Sequence, residues 1–240
     1  MNKSQVFLRV NRVAAELCAL AREATVSDLH EAGHATGKPA RLMSPQMRPM
    51  QKGARIAGPV ITAHVAPGDN LMMHRALVLA QPGDVLVVVS DAPAAGAQWG
   101  DMATRFALKR GLAGVVVAGG VRDTDTVEAL GMPVWATHVS PAHPDKSGHG
   151  RVNAPVVCDG VLVNPGDLVV ADGDGVVVVS RHDAATVVDG ALARMRKEDD
   201  MAKLVAEGAT CWDLAGAAAI YATMAIEEVD AAFDDPSPAR

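Results

Sequence analysis

Apolar residues change rhythm along the chain, and each change predicts a different layer. From about Phe7 to Ala35, Val10, Val13, Ala14, Leu17, Leu20 and Ala21 recur three and four residues apart, the spacing of one helical face. Thr25-Val26-Ser27-Asp28 breaks that run with cap-forming residues before a second short helix. From Ile56 the pattern becomes short Val-rich runs, Ile56 to Val65, Val85 to Val89, Val115 to Val117 and Val134 to Val139, separated by segments of helical character. That alternation predicts βαβ units around a parallel sheet. After Pro155 the runs Val156-Val157, Val161 to Val163, Leu168 to Ala171 and Val176 to Val179 crowd together, with Asp172-Gly173-Asp174-Gly175 as a tight turn between the last two. Antiparallel strands closing the sheet are expected there. Ala184 to Leu204 and Trp212 to Ile226 return to helical spacing, and Asp234-Asp235-Pro236-Ser237-Pro238 is expected to fray. The organisation predicted is an α/β core with N-terminal helices over 1–181 and a C-terminal helical extension over 182–240.

Three tripeptides, Pro67-Gly68-Asp69, Pro82-Gly83-Asp84 and Pro165-Gly166-Asp167, punctuate the strands. Proline's fixed φ and glycine's freedom make a turn, after which the chain restarts; these are structural residues first.

Composition narrows the function classes. The chain is 49% hydrophobic with only 3% aromatics, so Ala and Val fill the interior, and 240 residues bury a sizeable core. A net charge of −6 without any block of Lys and Arg removes the electrostatic footprint of a nucleic-acid binder. The first apolar stretch, Val6 to Leu20, is interrupted by Arg9, Arg12 and Glu16, unlike a signal peptide, and no segment is apolar for long enough to span a bilayer. A cytoplasmic protein without membrane partners is expected. Cys18, Cys158 and Cys211 are spaced for neither a disulfide framework nor a zinc site.

Candidate chemistry lies after two consecutive parallel strands. Val85 to Val89 leads through a Gly-, Ala- and Pro-rich stretch into a helix opening at Gly100-Asp101-Met102-Ala103, and the next strand ends in Gly119-Gly120-Val121-Arg122-Asp123. Loops after neighbouring parallel strands emerge on the same sheet edge, so Asp101 and Arg122-Asp123 should converge. Carboxylates hold a hard cation, a helix N-terminus offers free N–H groups to an anion, and a guanidinium grips an oxo-acid at two points. The same residues also fit blander roles: Gly-Asp is an ordinary helix start, and Arg-Asp after a strand is often a surface ion pair.

The arrangement of Trp99-Gly100-Asp101 and Gly119-Gly120-Val121-Arg122-Asp123-Thr124 resembles the motif of the 4-hydroxy-4-methyl-2-oxoglutarate/4-carboxy-4-hydroxy-2-oxoadipate aldolases. Ala66-Pro67-Gly68-Asp69-Asn70, Pro82-Gly83-Asp84, Val134-Trp135-Ala136 and Asn164-Pro165-Gly166-Asp167 are similar to that family in the same order, and the resemblance runs from about Thr25 to Leu214. It implies an α/β/β/α sandwich of the swivelling-domain kind, assembled as a homotrimer or homohexamer with sites between subunits, and class II cleavage of a 4-hydroxy-2-oxo acid to pyruvate. By position, Asp123 would ligate Mg²⁺ or Mn²⁺, Asp101 would hold it through water, and Arg122 would contact the substrate's keto oxygen. The amides of Gly100, Asp101, Met102 and Ala103 would bind its carboxylate. An acid from a neighbour's C-terminal helices completes the family's site; Glu198 is the expected one here, with Asp199 behind it, and Glu31 is a further candidate acid.

No Schiff-base lysine is needed, so Lys109 and Lys146 read as solvated. His138, His143 and His149 fall in or beside the stretch 140–150, which reads as a mobile loop; His74 is placed to reach the pocket, His64 reads as a strand residue, and Asp172 and Asp174 as turn residues. Oxaloacetate decarboxylation shares the same enolate chemistry. The chief rival is a non-catalytic binding protein like the regulators of ribonuclease E activity, which resemble this core but are shorter. A menaquinone methyltransferase reading lacks a glycine-rich dinucleotide fingerprint.

Overall fold

The computed structural model describes residues 4–92 and 95–232; the tail expected to fray, 234–238, lies outside them. In chain order the elements are β1 (Gln5–Val6), α1 (Ala15–Ala21), α2 (Val26–Thr36), β2 (Ala40–Leu42), β3 (Arg48–Pro49), β4 (Ile56–Val65), α3 (Leu71–Leu79) and β5 (Val85–Ser90). Next come β6 (Ala97–Trp99), α4 (Asp101–Arg110), β7 (Gly114–Val121), α5 (Thr124–Leu130), β8 (Val134–Val139), β9 (Gly150–Val152), β10 (Val156–Cys158) and β11 (Val161–Val163). β12 (Leu168–Ala171), β13 (Val176–Val179), α6 (Ala184–Ala206), α7 (Cys211–Leu214) and α8 (Ala217–Tyr221) complete the chain. Packing divides it into two compact units, Met1–Met195 and Arg196–Arg240.

In the first unit the main sheet runs β2-β13-β12-β4-β5-β7-β8-β3. The βαβ rhythm is realised by β4, β5, β7 and β8, parallel neighbours with α3, α4 and α5 between them. β4 is long because it serves two partner sets: Ile56–Pro59 pairs antiparallel with β12, and Val60–Val65 pairs parallel with β5. Alternating side chains of these Val-rich strands feed different layers. Ile61, Leu86, Val88, Val115 and Val117 pack with Met73, Leu77, Ala103 and Val127 of the helices. Val60, Val85, Val87 and Val116 face the other way, toward Val163, Val169 and Val178 of the antiparallel strands. A third apolar layer joins the outer face of β12 and β13 to α1, α2 and the start of α6, through Ala21, Leu29, Val170, Val177 and Val188. A Val removed from the two inner layers would leave a cavity, typically costing about 1–3 kcal/mol.

Several expectations shift in detail. The N-terminal helix begins at Ala15 rather than near Phe7, because Gln5 and Val6 pair with β9 and the Phe7 amide donates to Val152 O (3.0 Å). The stretch 140–150 is pinned instead of loose: Asp145 N donates to Gly68 O, and Asp69 Oδ2 accepts from both Ser147 N and Gly148 N. The packing boundary falls inside α6, since Ala184, Val187, Val188 and Ala191 bury its first turns. In the second unit the single helix expected over Trp212 to Ile226 is two short ones, parted by Gly216 in the left-handed region (φ 62°).

The three Pro-Gly-Asp carboxylates are buried and satisfied, as structural residues should be. Asp69 accepts three backbone amides, Asp84 takes Arg12 and Gln81 N, and Asp167 takes Asn164 and Arg181 N. Among the described residues, no helix is long and apolar enough to cross a membrane.

Candidate functional site

The site is built where β6 runs beside the end of β7. Trp99 pairs with Val121, Arg122 N donates to Trp99 O (3.0 Å), and the chain turns at Gly100 into α4 and at Asp123 into α5. Buried Gln98 fixes β6 to β7 by accepting from Gly120 N (2.7 Å). Trp99 Nε1 donates to Thr104 Oγ1 (2.8 Å), whose hydroxyl donates back to Gly100 O (3.0 Å), locking the first turn of α4. A Cβ at Gly120 would come within 2.5 Å of Gly96 O, so only glycine lets β6 approach this closely.

Asp101, Arg122 and Asp123 therefore converge as the order of elements predicts. They line an open cavity of about 540 Å³ with Thr124, and Val139 to Pro141 form another part of its wall. Arg122 Nε lies 3.3 Å from Asp123 Oδ2, and the Asp101 amide lies 3.4 Å from the same oxygen. Arg105 Nε is 3.6 Å from Asp101 Oδ2. These are loose contacts between partly exposed groups, worth little to folding.

Two backbone features set this corner apart from a surface ion pair. Asp123 adopts φ 55°, a left-handed conformation that costs a non-glycine residue of order 1–2 kcal/mol, and its side chain makes no cap bond to α5. Gly100 has no Cβ where one would meet Asp123 Oδ2 at 2.8 Å and Arg122 Cγ at 3.1 Å. The missing methyl is what lets the aspartate and arginine lie against the start of α4. That helix has no side-chain cap, so the N–H groups of its first turn, including Met102 and Ala103, are available to an anion. A guanidinium, two carboxylates and a helix N-terminus around one cavity suit a small carboxylate together with a cation.

As a metal site the donor set is thin. No group of three or more His, Cys, Asp or Glu side chains gathers to hold an ion among the described residues. Two carboxylates do suit a hard ion such as Mg²⁺, which binds through one or two carboxylates and keeps several waters.

The remaining candidates lie elsewhere. Glu31 does not line this cavity; its carboxylate is 2.6 Å from Arg194 Nη2. Glu198 and Asp199 are exposed residues of the second unit. His74 does not line the cavity either; burial lowers its pKa, Lys146 adds to the shift and Asp69 opposes it. His64 is on β4, paired with Asp91 at 2.8 Å. Asp172 and Asp174 do form the hairpin turn, and Asp172 also accepts from Val26 N at the start of α2. Thr124 reaches the cavity as the neighbour of Asp123, whereas the Val139–Pro141 wall has no signal in the sequence, since only the register of β8 beside β7 brings it there.

Comparison with known proteins places these features in context. A family profile described as RraA-like, Aldolase/RraA, matches residues 26–178. A protein of Halalkalibacterium halodurans, provisionally named 4-hydroxy-4-methyl-2-oxoglutarate aldolase, is 36% identical over 157 residues, 65% of this chain and 74% of that one. The crystal structure of Streptomyces coelicolor RraAS2, titled an unusual member of the RNase ES inhibitor RraA protein family, is 33% identical with a TM-score of 0.72, over 80% of this chain and 98% of that one. A Geobacillus kaustophilus structure titled S-adenosylmethionine: 2-dimethylmenaquinone methyltransferase is 30% identical with a TM-score of 0.60, over 65% and 92%. Relatives of this chain thus carry three different functional names, so the site has to decide between them.

Proposed function

From the premise that the chain belongs to the RraA-like (Aldolase/RraA) family, we propose that it is a divalent-metal-dependent lyase cleaving a 4-hydroxy-2-oxo acid to pyruvate. The substrates are 4-hydroxy-4-methyl-2-oxoglutarate, giving two pyruvates, and 4-carboxy-4-hydroxy-2-oxoadipate, giving pyruvate and oxaloacetate, with oxaloacetate decarboxylation as a side activity. The observation that carries this reading is the convergence of Arg122, Asp123 and Asp101 on the uncapped start of α4, with Asp123 held in a left-handed conformation.

In the reaction a base takes the C4 hydroxyl proton, the C4 carbonyl forms as the C3–C4 bond breaks, and that bond's electron pair becomes the C2–C3 double bond as charge moves onto the 2-oxo oxygen. A proton returned to C3 from water or the protonated base then gives pyruvate. The substrate carboxylate sits on the amides of Gly100, Asp101, Met102 and Ala103, which anchor it without desolvating another side chain. Arg122 donates to the 2-oxo oxygen and stabilises the charge that accumulates there. Asp123 and Asp101 would hold Mg²⁺ or Mn²⁺, Asp101 through water, and the ion would supply Lewis acidity to the reaction. Asp123 also aligns Arg122 through their 3.3 Å contact. The hydroxyl proton goes to an acidic residue outside this cavity: Glu198, or Asp199 behind it, from a neighbouring subunit of a homotrimer or homohexamer. The three apolar layers of the first unit support the α/β/β/α swivelling-domain architecture that accompanies this reading.

The test is pyruvate release from both hydroxy acids, coupled to NADH oxidation by lactate dehydrogenase, with Mg²⁺, with Mn²⁺ and with EDTA. Turnover with either metal that EDTA abolishes is expected. The absence of pyruvate with either metal, from folded oligomer, would instead favour the binding-protein reading carried by the RNase inhibitor relative.

A further inference from the structure

On the opposite layer of the sheet, α2 carries His30 and His34 one turn apart, with Glu31 between them in the order His30-Glu31-Ala32-Gly33-His34. Two histidines four residues apart on a helix share one face and are a recurrent zinc-binding pair. Here their rings are in contact, with centroids 5.0 Å apart. A metal at about 2.0–2.1 Å from a ring nitrogen lies about 3.2 Å from that ring's centroid, so a tetrahedral angle between two ring ligands puts their centroids about 5.2 Å apart. The observed spacing is close to that value, with the two rings at 88° in an edge contact.

The backbone also sets up the ligand atom. Gly37 ends α2 in the left-handed region, and the chain returns through Lys38 and Pro39 to place Ala40 O 2.8 Å from His30 Nδ1. A carbonyl only accepts, so Nδ1 carries the hydrogen and Nε2 of the neutral ring keeps its lone pair; such an outer-sphere bond orients many metal-binding imidazoles. A cavity of about 330 Å³ opens over the pair. Lys38 and Arg41 line it too; their charge opposes a dication, Asp183 offsets that of Lys38 (3.1 Å), and both favour an anion in the metal's remaining positions.

We propose that His30 and His34 form a second metal site, selective for zinc-like ions (Zn²⁺, Ni²⁺, Co²⁺, Cu²⁺) and separate from the carboxylate site at Asp123. Imidazole ligands suit these ions, whereas the oxygen donors of Asp101 and Asp123 suit Mg²⁺. The site is not hydrolytic. Glu31, which would act as base in a zinc protease helix, is held by Arg194 at 2.6 Å. With two protein ligands, water or a small anion completes the coordination.

The test is calorimetric titration of the untagged full chain with Zn²⁺ in excess Mg²⁺, for the wild type, His30→Ala, His34→Ala and Asp123→Ala. One zinc per chain is expected, weakened about 10-fold or more by either histidine change and untouched by Asp123→Ala. His34 is exposed, so its removal leaves folding intact and decides the matter even if His30→Ala loosens α2. The proposal is overturned if the histidine variants bind zinc like the wild type, if Asp123→Ala removes the binding, or if no heat appears up to about 100 µM zinc.

Discussion

Two arginine–aspartate pairs occupy opposite ends of neighbouring strands of one sheet, Arg12–Asp84 at the start of β5 and Arg122–Asp123 at the end of β7. The Asp84 side chain is fully buried, grips Arg12 at 2.7 and 2.8 Å, and takes a third bond from Gln81 N at 2.7 Å. The hydrogen bond to Asp84 raises the pKa of Arg12 against the opposing effect of burial, so the guanidinium stays charged throughout the working pH range. Arg122 and Asp123 approach only to 3.3 Å, their side chains are 35% and 38% exposed, and Asp123 stands on a left-handed backbone at the mouth of a cavity. Identical chemistry serves two ends. A saturated pair with a buried carboxylate ties the N-terminal segment to the sheet; an unsaturated, wet pair on a left-handed aspartate leaves lone pairs and donors unused.

That contrast is sharpest in the response to truncation. Arg122→Ala should lower kcat/KM for pyruvate release by about 10³-fold while moving Tm little, because an exposed pair contributes little to folding. Arg12→Ala should do the reverse. It strands a buried carboxylate and should cost about 3–5 kcal/mol in chemical denaturation, with activity per folded molecule preserved. Gly100→Ala probes the seam between the two effects: the new methyl meets Asp123 Oδ2 at 2.8 Å, so activity should fall about 10–100-fold for a stability change of about 1 kcal/mol.

The smallest effect concerns pH. Burial, reinforced by Asp84 and Glu16, pushes the Cys18 thiol from its ordinary 9.0 up to about 11. A raised folded value means that the unfolded chain ionises first, so stability is intact below pH 9 and falls between pH 9 and 11. Denaturation midpoints should drop there by an amount equivalent to roughly 1–2 kcal/mol, and the drop should vanish in Cys18→Ala once that variant's own cavity cost is subtracted.

Much of this contrast is legible in the sequence, and the reasons for the rest are physical. Val-rich runs bounded by Pro-Gly-Asp give β4, β5, β7 and β8 in their right order, and order alone brings Asp101 to Arg122-Asp123, since parallel neighbours end on one edge. β6 was read as part of a loop. It is three residues long and exists because Gln98 bonds Gly120 N while the glycines opposite leave room, a tertiary cause without a periodic signal. The partners of Asp84 and Glu31 were equally hidden: Arg12 and Arg194 are distant in sequence and meet them only through packing. The helix expected from Trp212 to Ile226 fails at Gly216, where a left-handed residue outweighs the apolar spacing on either side. The His30–His34 pair has helical spacing but was not singled out in the sequence, and the carbonyl that orients His30 has no sequence signal at all.

The central claim is that Asp123 is kept for chemistry at the expense of local strain, and Asp123→Gly tests it most directly by reading both quantities on one preparation. Glycine accepts φ 55° without penalty and removes the carboxylate. The account predicts that metal-dependent pyruvate release falls by about 10³-fold or more while Tm stays level or rises. Retained turnover, or a loss of Tm comparable with that of Arg12→Ala, would contradict it and make Asp123 a structural residue like Asp84.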